Sequence, residues 1–307
     1  MLLPLSTLGA AGSFIKVFCH KFPGMKSSYE HQIVKYYDEC EIDYKLLWDA
    51  NHSMAMHYGY WDEHTRNLRE ALLNTNKVLA HAAGIKRGEK VLDAGCGVGG
   101  SSIFLAKALG CSVTGITLSE KQVRNAERNA ERHGIGGLAA FYRKDFCQTG
   151  FPDKSFDLVW AVESVCHAER KQDFVSEAYR LLKPGGRLVM ADGFEAGRQL
   201  NREERRIVQH WIDGWAVPSL AHIGQFTRQL RNAGFRNVNV NDATAHIVPS
   251  ARRLYIASFP GWIMTLVGEL AGLRTKVQTA NVISARLQYT VFQKRLARYM
   301  IITALKA

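Results

Sequence analysis

A short apolar strand that runs directly into a row of glycines constrains this chain more than any other feature. From Val91 the sequence reads VLDAGCGVGG, with glycines at the alternate positions 95, 97 and 99. We predict a strand over Lys90 to Ala94 and a helix over Ser101 to Leu109. Glycines in the turn between them permit positive φ angles and leave no Cβ, so a ligand can approach the backbone closely. The pattern predicts a ligand-binding turn in an α/β fold.

An acidic residue beside the glycines indicates which class of ligand the turn binds. A glycine pattern alone also occurs in dinucleotide sites and in ordinary turns. Asp93, however, stands just before the first glycine, where a carboxylate suits a cationic ligand or an amino group and suits pyrophosphate poorly. The spacing D-x-G-x-G-x-G resembles the first motif of the class I methyltransferases that use S-adenosylmethionine (SAM). The resemblance implies SAM as the cofactor, since SAM carries both a sulfonium and an ammonium group.

Strand and helix patterns alternate after the glycine turn, which predicts a mostly parallel sheet. Helices are predicted over Ser119 to His133, which opens with a capping box from Ser119 to Gln122, and over Arg170 to Leu182, which is stopped by Lys183-Pro-Gly-Gly186. The further strands are predicted over Ser112 to Thr117, Leu138 to Lys144, Phe156 to Ala161, Arg187 to Ala191, Arg236 to Asp242 and Tyr299 to Ala304. The prediction is a seven-stranded Rossmann-like sheet that closes on an antiparallel hairpin.

The rest of the chain is predicted to form a cap on a single domain. The 307 residues, 47% of them hydrophobic, are enough to bury an α/β core with room for added helices. We predict a disordered or weakly helical leader over residues 1–26 and one domain over 27–307. Within the domain, a helical lid spans 27–89 and two or three cap helices span 249–296.

Cysteine usage and net charge restrict which cellular compartment and which binding partners are expected. The six cysteines are scattered without metal-ligand spacing, which indicates a reduced, cytoplasmic protein without a metal. The net charge of +12 raises the question of nucleic acid, but the basic clusters are not interleaved with aromatic residues and no helix-turn-helix or zinc pattern accompanies them. We expect no nucleic-acid partner. Two explanations remain for the basic residues Arg252-Arg253 and Arg274 to Lys276: contact with anionic membrane, or ordinary solvated surface. The oligomeric state is also left open.

The ends of the next strands carry candidate site residues. Thr117 and Gln122 follow the second strand and are candidates for contacts with a ribose, with Leu118 between them. Asp145 follows the third strand and is a candidate acceptor for the adenine amino group, with Phe146 packing on the ring. These assignments compete with a capping role for Gln122 and a plain loop position for Asp145.

The fourth strand leads into Glu163-Ser-Val-Cys-His167, a loop that should face the methyl group. Glu163 is predicted to accept a proton from the acceptor or to stabilise a developing positive charge. His167 is a second candidate base, because the pKa of histidine lies near neutrality; a cap or orienting role is the alternative. Methyl transfer itself needs mainly alignment of the acceptor and exclusion of water.

Aromatic residues outside the sheet are predicted to shape an apolar acceptor pocket and to stabilise cationic species with their ring faces. A plain core role is the alternative for about half of them. The predicted pocket residues are Tyr37, Tyr44, Trp48, Tyr58, Trp211 and Trp215.

Four segments together look like the tocopherol and sterol C-methyltransferases: VLDAGCGVGG, VTGITLSEKQ, the loop from Glu163 to His167, and LLKPGGRLVMAD. The resemblance extends to LLWDANHSMAMHYGY in the lid and to YMIITALK at the carboxyl end, and covers about residues 29–306. It implies that Asp93, Gly95 and Gly97 hold the methionyl part of SAM, that Thr117, Leu118 and Gln122 lie on the ribose side, and that Asp145 and Phe146 hold the adenine.

The acceptor does not follow from the resemblance, because the loop at Glu163 is closer to the sterol type and the chain ends are closer to the tocopherol type. We expect C-methylation of an apolar small molecule, an isoprenoid, prenylated ring or sterol-like lipid. N-methylation of a hydrophobic amine or alkaloid is the second reading and RNA methylation the third. The expected location is cytoplasmic, with peripheral membrane contact left open.

Overall fold

One mostly parallel sheet organises the fold in the computed structural model, which describes residues 28–47 and 53–307. Its strand order is β3-β2-β1-β4-β5-β7-β6. Strand β7 pairs antiparallel with both of its neighbours, and the pairs from β3 to β5 are parallel. The strands are β1 (Lys90–Ala94), β2 (Ser112–Thr117), β3 (Ala139–Arg143), β4 (Phe156–Val162), β5 (Leu182–Glu195), β6 (Phe235–Asp242) and β7 (Ala297–Lys306). The predicted seven-stranded α/β sheet with an antiparallel last strand is confirmed.

Helices cover the sheet and continue beyond it. They are α1 (Ser28–Leu47), α2 (Leu68–Ala83), α3 (Gly100–Leu109), α4 (Glu120–Arg132), α5 (Lys171–Leu181), α6 (Arg202–Asp213), α7 (Ile223–Ala233), α8 (Thr244–Leu270) and α9 (Lys276–Gln293). Local sequence explains their ends. Asn201 and Thr275 begin α6 and α9 with complete capping boxes, and Gly84 and Gly110 end α2 and α3 in the left-handed conformation.

Several predicted boundaries were wrong in the same direction, because the strands are longer than their apolar centres. Strand β5 begins at Leu182 rather than Arg187, and β7 runs from Ala297 to Lys306 rather than from Tyr299 to Ala304. The two strands pair continuously from Arg187 opposite Leu305 to Glu195 opposite Ala297. Backbone pairing in this ladder takes in charged residues such as Arg187, Glu195 and Arg298, where no hydrophobic pattern marks the strand.

The predicted lid and cap helices need correction in extent. Residues 27–89 are not helical throughout: α1 and α2 are separated by an extended stretch that includes Met54 to Asp62. The cap contains two helices, and the first begins at Thr244 rather than at residue 249. The predicted leader over 1–26 and Trp48 lie outside the described residues. Within the part that is described, no helix has the length and apolarity needed to cross a membrane.

Buried polar contacts fasten α1 to the cap. The guanidinium of Arg274 donates to both carboxylate oxygens of Asp43 at 2.9 Å, and the amide of Asn281 donates to the same carboxylate at 3.1 Å. The hydroxyl of Tyr36 donates to Asn281 Oδ1 at 3.0 Å. Because Asp43 is only 3% exposed, these partners are what make its burial tolerable.

Candidate active site

The turn between β1 and α3 is built so closely that only glycine fits. Gly95, Gly97 and Gly99 have φ angles of 93°, 53° and 88°. A Cβ on Gly95 would lie 2.3 Å from the Cβ of Ser164, and a Cβ on Gly100 would lie 2.3 Å from the carbonyl oxygen of Met54. The turn is therefore held between the β4 loop on one side and the segment before α2 on the other.

Asp93 lies at the carboxyl end of β1 and is almost fully buried. One of its carboxylate oxygens accepts a hydrogen bond of 2.6 Å from the hydroxyl of Ser102 in the first turn of α3. Burial raises the pKa of Asp93 to about 6, and the bond from Ser102 opposes that rise. A cationic ligand group beside this carboxyl would favour its charged form.

The end of β2 differs from the predicted capping box. The side chain of Ser119 accepts from the backbone N–H of Gln122, as predicted, but the Gln122 side chain does not return the bond. Its Oε1 accepts instead from the Thr117 hydroxyl at 2.6 Å. The Ser119 hydroxyl donates to Asp38 of α1 at 2.7 Å. Thr117 and Gln122 are therefore paired at the cavity wall, and α1 is fastened to the loop between them.

Asp145 and Phe146 follow β3 at the other side of the cavity. Asp145 Oδ1 accepts from the backbone N–H of Cys147 at 2.7 Å, which fixes the loop. The Phe146 ring packs edge-on against Phe174 at 5.6 Å.

Glu163 is the most constrained acidic residue of the site. Its φ of 48° lies in the left-handed region, which a side chain other than glycine rarely adopts. Its Oε1 accepts from the backbone N–H of Tyr58 at 2.7 Å and from the hydroxyl of Tyr299 at 2.8 Å. Desolvation raises the pKa of Glu163 to about 8, and Asp192 adds to the rise. The two hydrogen bonds hold one carboxyl oxygen in place and oppose the rise in the pKa that burial causes.

His167 is less available as a base than predicted. Its Nδ1 lies 3.0 Å from the carbonyl oxygen of Ala216, and its Nε2 lies 2.9 Å from the Tyr37 hydroxyl. Since a carbonyl only accepts, Nδ1 carries the proton and Nε2 accepts from Tyr37. Burial lowers the pKa of His167 to about 4. This histidine therefore orients Tyr37, which favours the orienting role over that of a base.

Two buried ionisable side chains, Lys171 and Asp192, bind the backbone of the loop after β4, and the sequence did not indicate either role. Lys171 donates to the carbonyl oxygens of Cys166, Ala168 and Ser219 at 2.7 to 2.9 Å. Asp192 accepts from the backbone N–H of Cys166 at 2.8 Å. Burial lowers the pKa of Lys171 and raises that of Asp192. Polar side chains on α5 and β5 thus fix the backbone that presents Glu163 and His167.

Most of the predicted aromatic pocket lies behind the cavity wall. Tyr37 lines the cavity with Glu163. Tyr44 lines a second cavity, which shares Tyr37 and Gln122 with the first, and the structure does not support pocket positions for Tyr58, Trp211 and Trp215. The Tyr44 hydroxyl bonds that of Tyr36, and the Tyr58 hydroxyl donates to Gln288. Their rings, like those of Trp211 and Trp215, pack into the core between the lid and α9. The rings of Tyr58, Trp211 and Trp215 fill the apolar interface between helices rather than line the cavity.

The cavity brings together the residues predicted to bind cofactor and to act in transfer. It is bordered by Asp93, Gly95, Gly97, Thr117, Leu118, Gln122, Asp145, Phe146, Glu163 and His167. These residues fit SAM: the glycine turn leaves room that a Cβ would fill, carboxylates at both ends can accept from amino groups, and the site lies at the carboxyl ends of the strands beside the β1–β4 crossover. In the described ranges, no group of three or more His, Cys, Asp or Glu side chains is arranged to hold a metal ion.

Tyr299, Met54 and Met56 were also missed from sequence. Tyr299 comes from β7 and reaches Glu163 across 136 positions of sequence, so no local pattern indicates it. Met54 and Met56 lie on the segment that covers the glycine turn, with the Met56 sulfur 3.9 Å from Gln122 Nε2. The one local signal in this segment is the glycine of MHYGY, Gly59, whose backbone packs closely against Ala71 of α2.

Comparison with known proteins agrees with this geometry. The Methyltransferase domain family matches residues 92–190. The 27-O-demethylrifamycin SV methyltransferase of Amycolatopsis mediterranei is 33% identical over 72% of this chain and 79% of its own length. The sterol 24-C-methyltransferase of Saccharomyces cerevisiae is 30% identical over 67% of this chain and 53% of its own length. The matched region thus spans about half of that sterol relative.

Solved structures show the same fold at low sequence identity. A geranyl diphosphate C-methyltransferase from Streptomyces coelicolor superposes with a TM-score of 0.73 at 20% identity, covering 93% of this chain and 100% of the other. The [4+2]-cyclase SpnF gives a TM-score of 0.72 at 23% identity over 90% and 96% of the two chains. The fold therefore does not select a reaction.

The glycine turn and the cavity, together with the family match and the 33% identical relative, define a class I methyltransferase, an enzyme that uses SAM. The chain belongs to the methyltransferase family of the rifamycin relative, in which the sterol C-methyltransferases are further relatives.

Proposed function

We propose that this enzyme methylates carbon in an apolar small molecule, namely an isoprenoid, a prenylated ring or a sterol-like lipid. The observation that carries the proposal is Glu163, a largely desolvated carboxyl on the cavity wall, fixed by Tyr58 and Tyr299. Methylation of an alkene or aromatic ring places positive charge on the acceptor and then releases a proton. A carboxylate beside the reacting carbon helps in both stages.

In the proposed reaction each residue of the site has a separate role. SAM, when bound, supplies an activated methyl group whose bond to sulfur breaks as the bond to the acceptor carbon forms. Glu163 takes the proton that the acceptor then loses, so S-adenosylhomocysteine (SAH) and the protonated carboxyl remain. Tyr299 and the Tyr58 amide hold the carboxyl in place, and His167 orients Tyr37, which also lines the cavity. The lid excludes water, which strengthens the electrostatic interactions inside.

The charge of the cavity supports an acceptor without phosphate. The acidic residues bordering it are Glu30, Asp93, Asp145, Glu163, Glu169 and Asp173, and among the described lining residues the basic one is Arg170, whose guanidinium pairs with Asp173 at 2.9 Å. This excess of carboxylates is unfavourable for RNA or a diphosphate and favourable for a carbocation. It equally favours the ammonium that forms when a neutral hydrophobic amine is methylated, so N-methylation is the second candidate.

The names of relatives give independent support, since they include sterol 24-C-methyltransferases. The direct test is to incubate the enzyme with labelled SAM and a lipid extract of its source organism, and to identify the labelled product. Label on a carbon of a neutral lipid supports the proposal. Label only in water-soluble amines or RNA contradicts it.

We also propose peripheral contact with anionic membrane, in a cytoplasmic setting. The hairpin of α8 and α9 exposes Ile256 (57%), Phe259 (46%) and Leu273 (82%), and Arg252 and Arg253 on α8 are exposed as well. Apolar side chains beside cationic ones suit the surface of an anionic bilayer.

Sedimentation with phosphatidylcholine vesicles, with and without phosphatidylserine, tests this contact. We expect binding that requires phosphatidylserine and is lost in Ile256→Glu with Phe259→Glu. The matched control is Val240→Glu, which alters an exposed apolar residue of β6 (41%). Equal binding by the double variant and the wild type contradicts membrane contact through this hairpin.

A further inference from the structure

His57 carries a hydrogen-bond acceptor that the protein leaves unused. The side chain is 6% exposed and lines the cavity. Its Nδ1 lies 2.9 Å from the carbonyl oxygen of Tyr58, so Nδ1 carries the proton and donates. Its buried Nε2 has no hydrogen-bond partner in the ranges 28–47 and 53–307. Burial lowers the pKa of His57, which keeps the ring neutral and leaves Nε2 with a lone pair.

An unpaired buried acceptor is unfavourable unless a ligand satisfies it. Because the carbonyl of Tyr58 fixes the tautomer and the lowered pKa keeps the ring neutral, Nε2 can receive a hydrogen bond but cannot donate one. The missing partner is therefore an N–H or O–H group of something bound in the cavity. A carboxylate or a phosphate does not meet this need.

The neighbours of His57 indicate which ligand reaches it. The carbonyl of Met54 lies against Gly100, and the sulfur of Met56 lies 3.5 Å from the position of a Cβ on Gly97. One residue beyond His57, the amide of Tyr58 bonds Glu163. His57 thus lies on a segment between the glycine turn, which is predicted to hold the methionyl part of SAM, and the carboxyl at which transfer is proposed. The ammonium group is the hydrogen-bond donor of that methionyl part.

We infer that His57 Nε2 accepts a hydrogen bond from the ammonium group of the bound cofactor. The inference depends on SAM as the cofactor and not on which acceptor is methylated. It adds a residue of the lid to a cofactor site otherwise built from the strand ends. The segment that recognises the cofactor then also holds Glu163, through the adjacent residue Tyr58.

Calorimetric titration without any acceptor tests the inference. The probes are SAH and the SAH analogue that lacks the amino group but keeps the carboxylate. We expect His57→Phe to weaken SAH binding by about 10- to 100-fold, the usual range for a lost hydrogen bond to a charged group, and to leave binding of the deaminated analogue nearly unchanged. Equal weakening of both probes, or unchanged SAH binding, overturns the inference.

Two further variants separate recognition from folding. His246→Phe is the matched control, because His246 Nδ1 makes the same kind of bond to a backbone carbonyl, that of Trp61 at 2.7 Å, outside the cavity lining. It should leave both affinities unchanged. His57→Gln keeps an acceptor oxygen and should bind SAH more tightly than His57→Phe does. If His57→Phe does not fold, the wild type and His57→Gln decide: the wild type must prefer SAH to the deaminated analogue, and equal affinities overturn the inference.

Discussion

Glu163 is the residue on which carbon and nitrogen methylation make different demands. Carbon methylation has to remove a proton from the acceptor, whereas an amine that arrives neutral needs no strong base. Glu163→Gln keeps the shape and removes the charge. For a reaction at carbon we expect kcat to fall by about 10²- to 10⁴-fold, the range for loss of a general base, with SAM affinity little changed. Near-native turnover of methyl transfer would remove Glu163 from the mechanism. His167→Ala should cost less, because that ring orients Tyr37.

Tyr299 acts on the reaction through Glu163 and is a positioning residue. Tyr299→Phe keeps the ring in its packing against Tyr58 and removes the hydrogen bond to Oε1. We expect kcat to fall by about tenfold, near the value of one hydrogen bond to a charged group. The pKa on the acidic limb of the pH profile should rise, since that bond lowers the pKa of Glu163. Tyr36→Phe, which alters a buried hydroxyl outside the cavity, is the control. An unchanged pH profile in Tyr299→Phe would argue against positioning.

The raised pKa of Glu163 also links stability to pH. The folded state holds the proton up to about pH 8, whereas the unfolded chain releases it near the usual 4.5. This contribution to stability is therefore complete below pH 4.5 and is lost as the pH rises to about 8. Between pH 5 and 8.5, Glu163→Gln should gain about 2 to 4 kcal/mol relative to the wild type, less than the full linkage because the carboxyl borders an open cavity. Denaturant unfolding across that range measures it, and parallel pH dependence in both proteins would contradict a neutral buried carboxyl.

At the scale of single elements, one buried ion pair contributes to the contact between α1 and the cap. Arg274→Met leaves the buried carboxylate of Asp43 with only the Asn281 amide, and we expect a loss of about 3 kcal/mol in the free energy of unfolding. The control is Arg198→Met, which breaks the exposed pair with Glu204 and should change stability little. Chemical denaturation compares the two variants. Equal small losses would show that Asp43 is satisfied without Arg274.

Elements of the central fold follow from local sequence, and long-range contacts do not. The apolar strand and glycine turn at Val91 and the stop at Lys183-Pro-Gly-Gly186 predict their elements because the causes are local. The partners of Glu163 come from Tyr58 and Tyr299, which lie 105 and 136 positions away. The misplaced rings have the same origin, since an aromatic residue such as Trp211 serves a helix interface as well as a cavity.

At the scale of the whole molecule, the last strand is a structural centre rather than an edge. Strand β7 lies between β5 and β6, pairs with both, and supplies Tyr299. Deletion of residues 297–307 would leave β6 without a partner, leave β5 paired only with β4, and remove several fully buried side chains. We expect loss of soluble, cooperatively folding protein, monitored by circular dichroism and thermal unfolding. Deletion of the exposed Ala307 alone should be neutral. A folded truncation product would show that β6 can pair elsewhere.

The hold on Glu163 from the lid comes from the backbone amide of Tyr58 and not from a side chain. Any residue except proline supplies that donor. Cavity-facing side chains of the lid other than His57 can therefore drift in evolution, or be redesigned to fit new acceptors, while the alignment of the reacting carboxyl is preserved. Side-chain atoms of the lid can thus set the range of acceptors, while a backbone atom of the same segment holds the carboxyl that takes the proton.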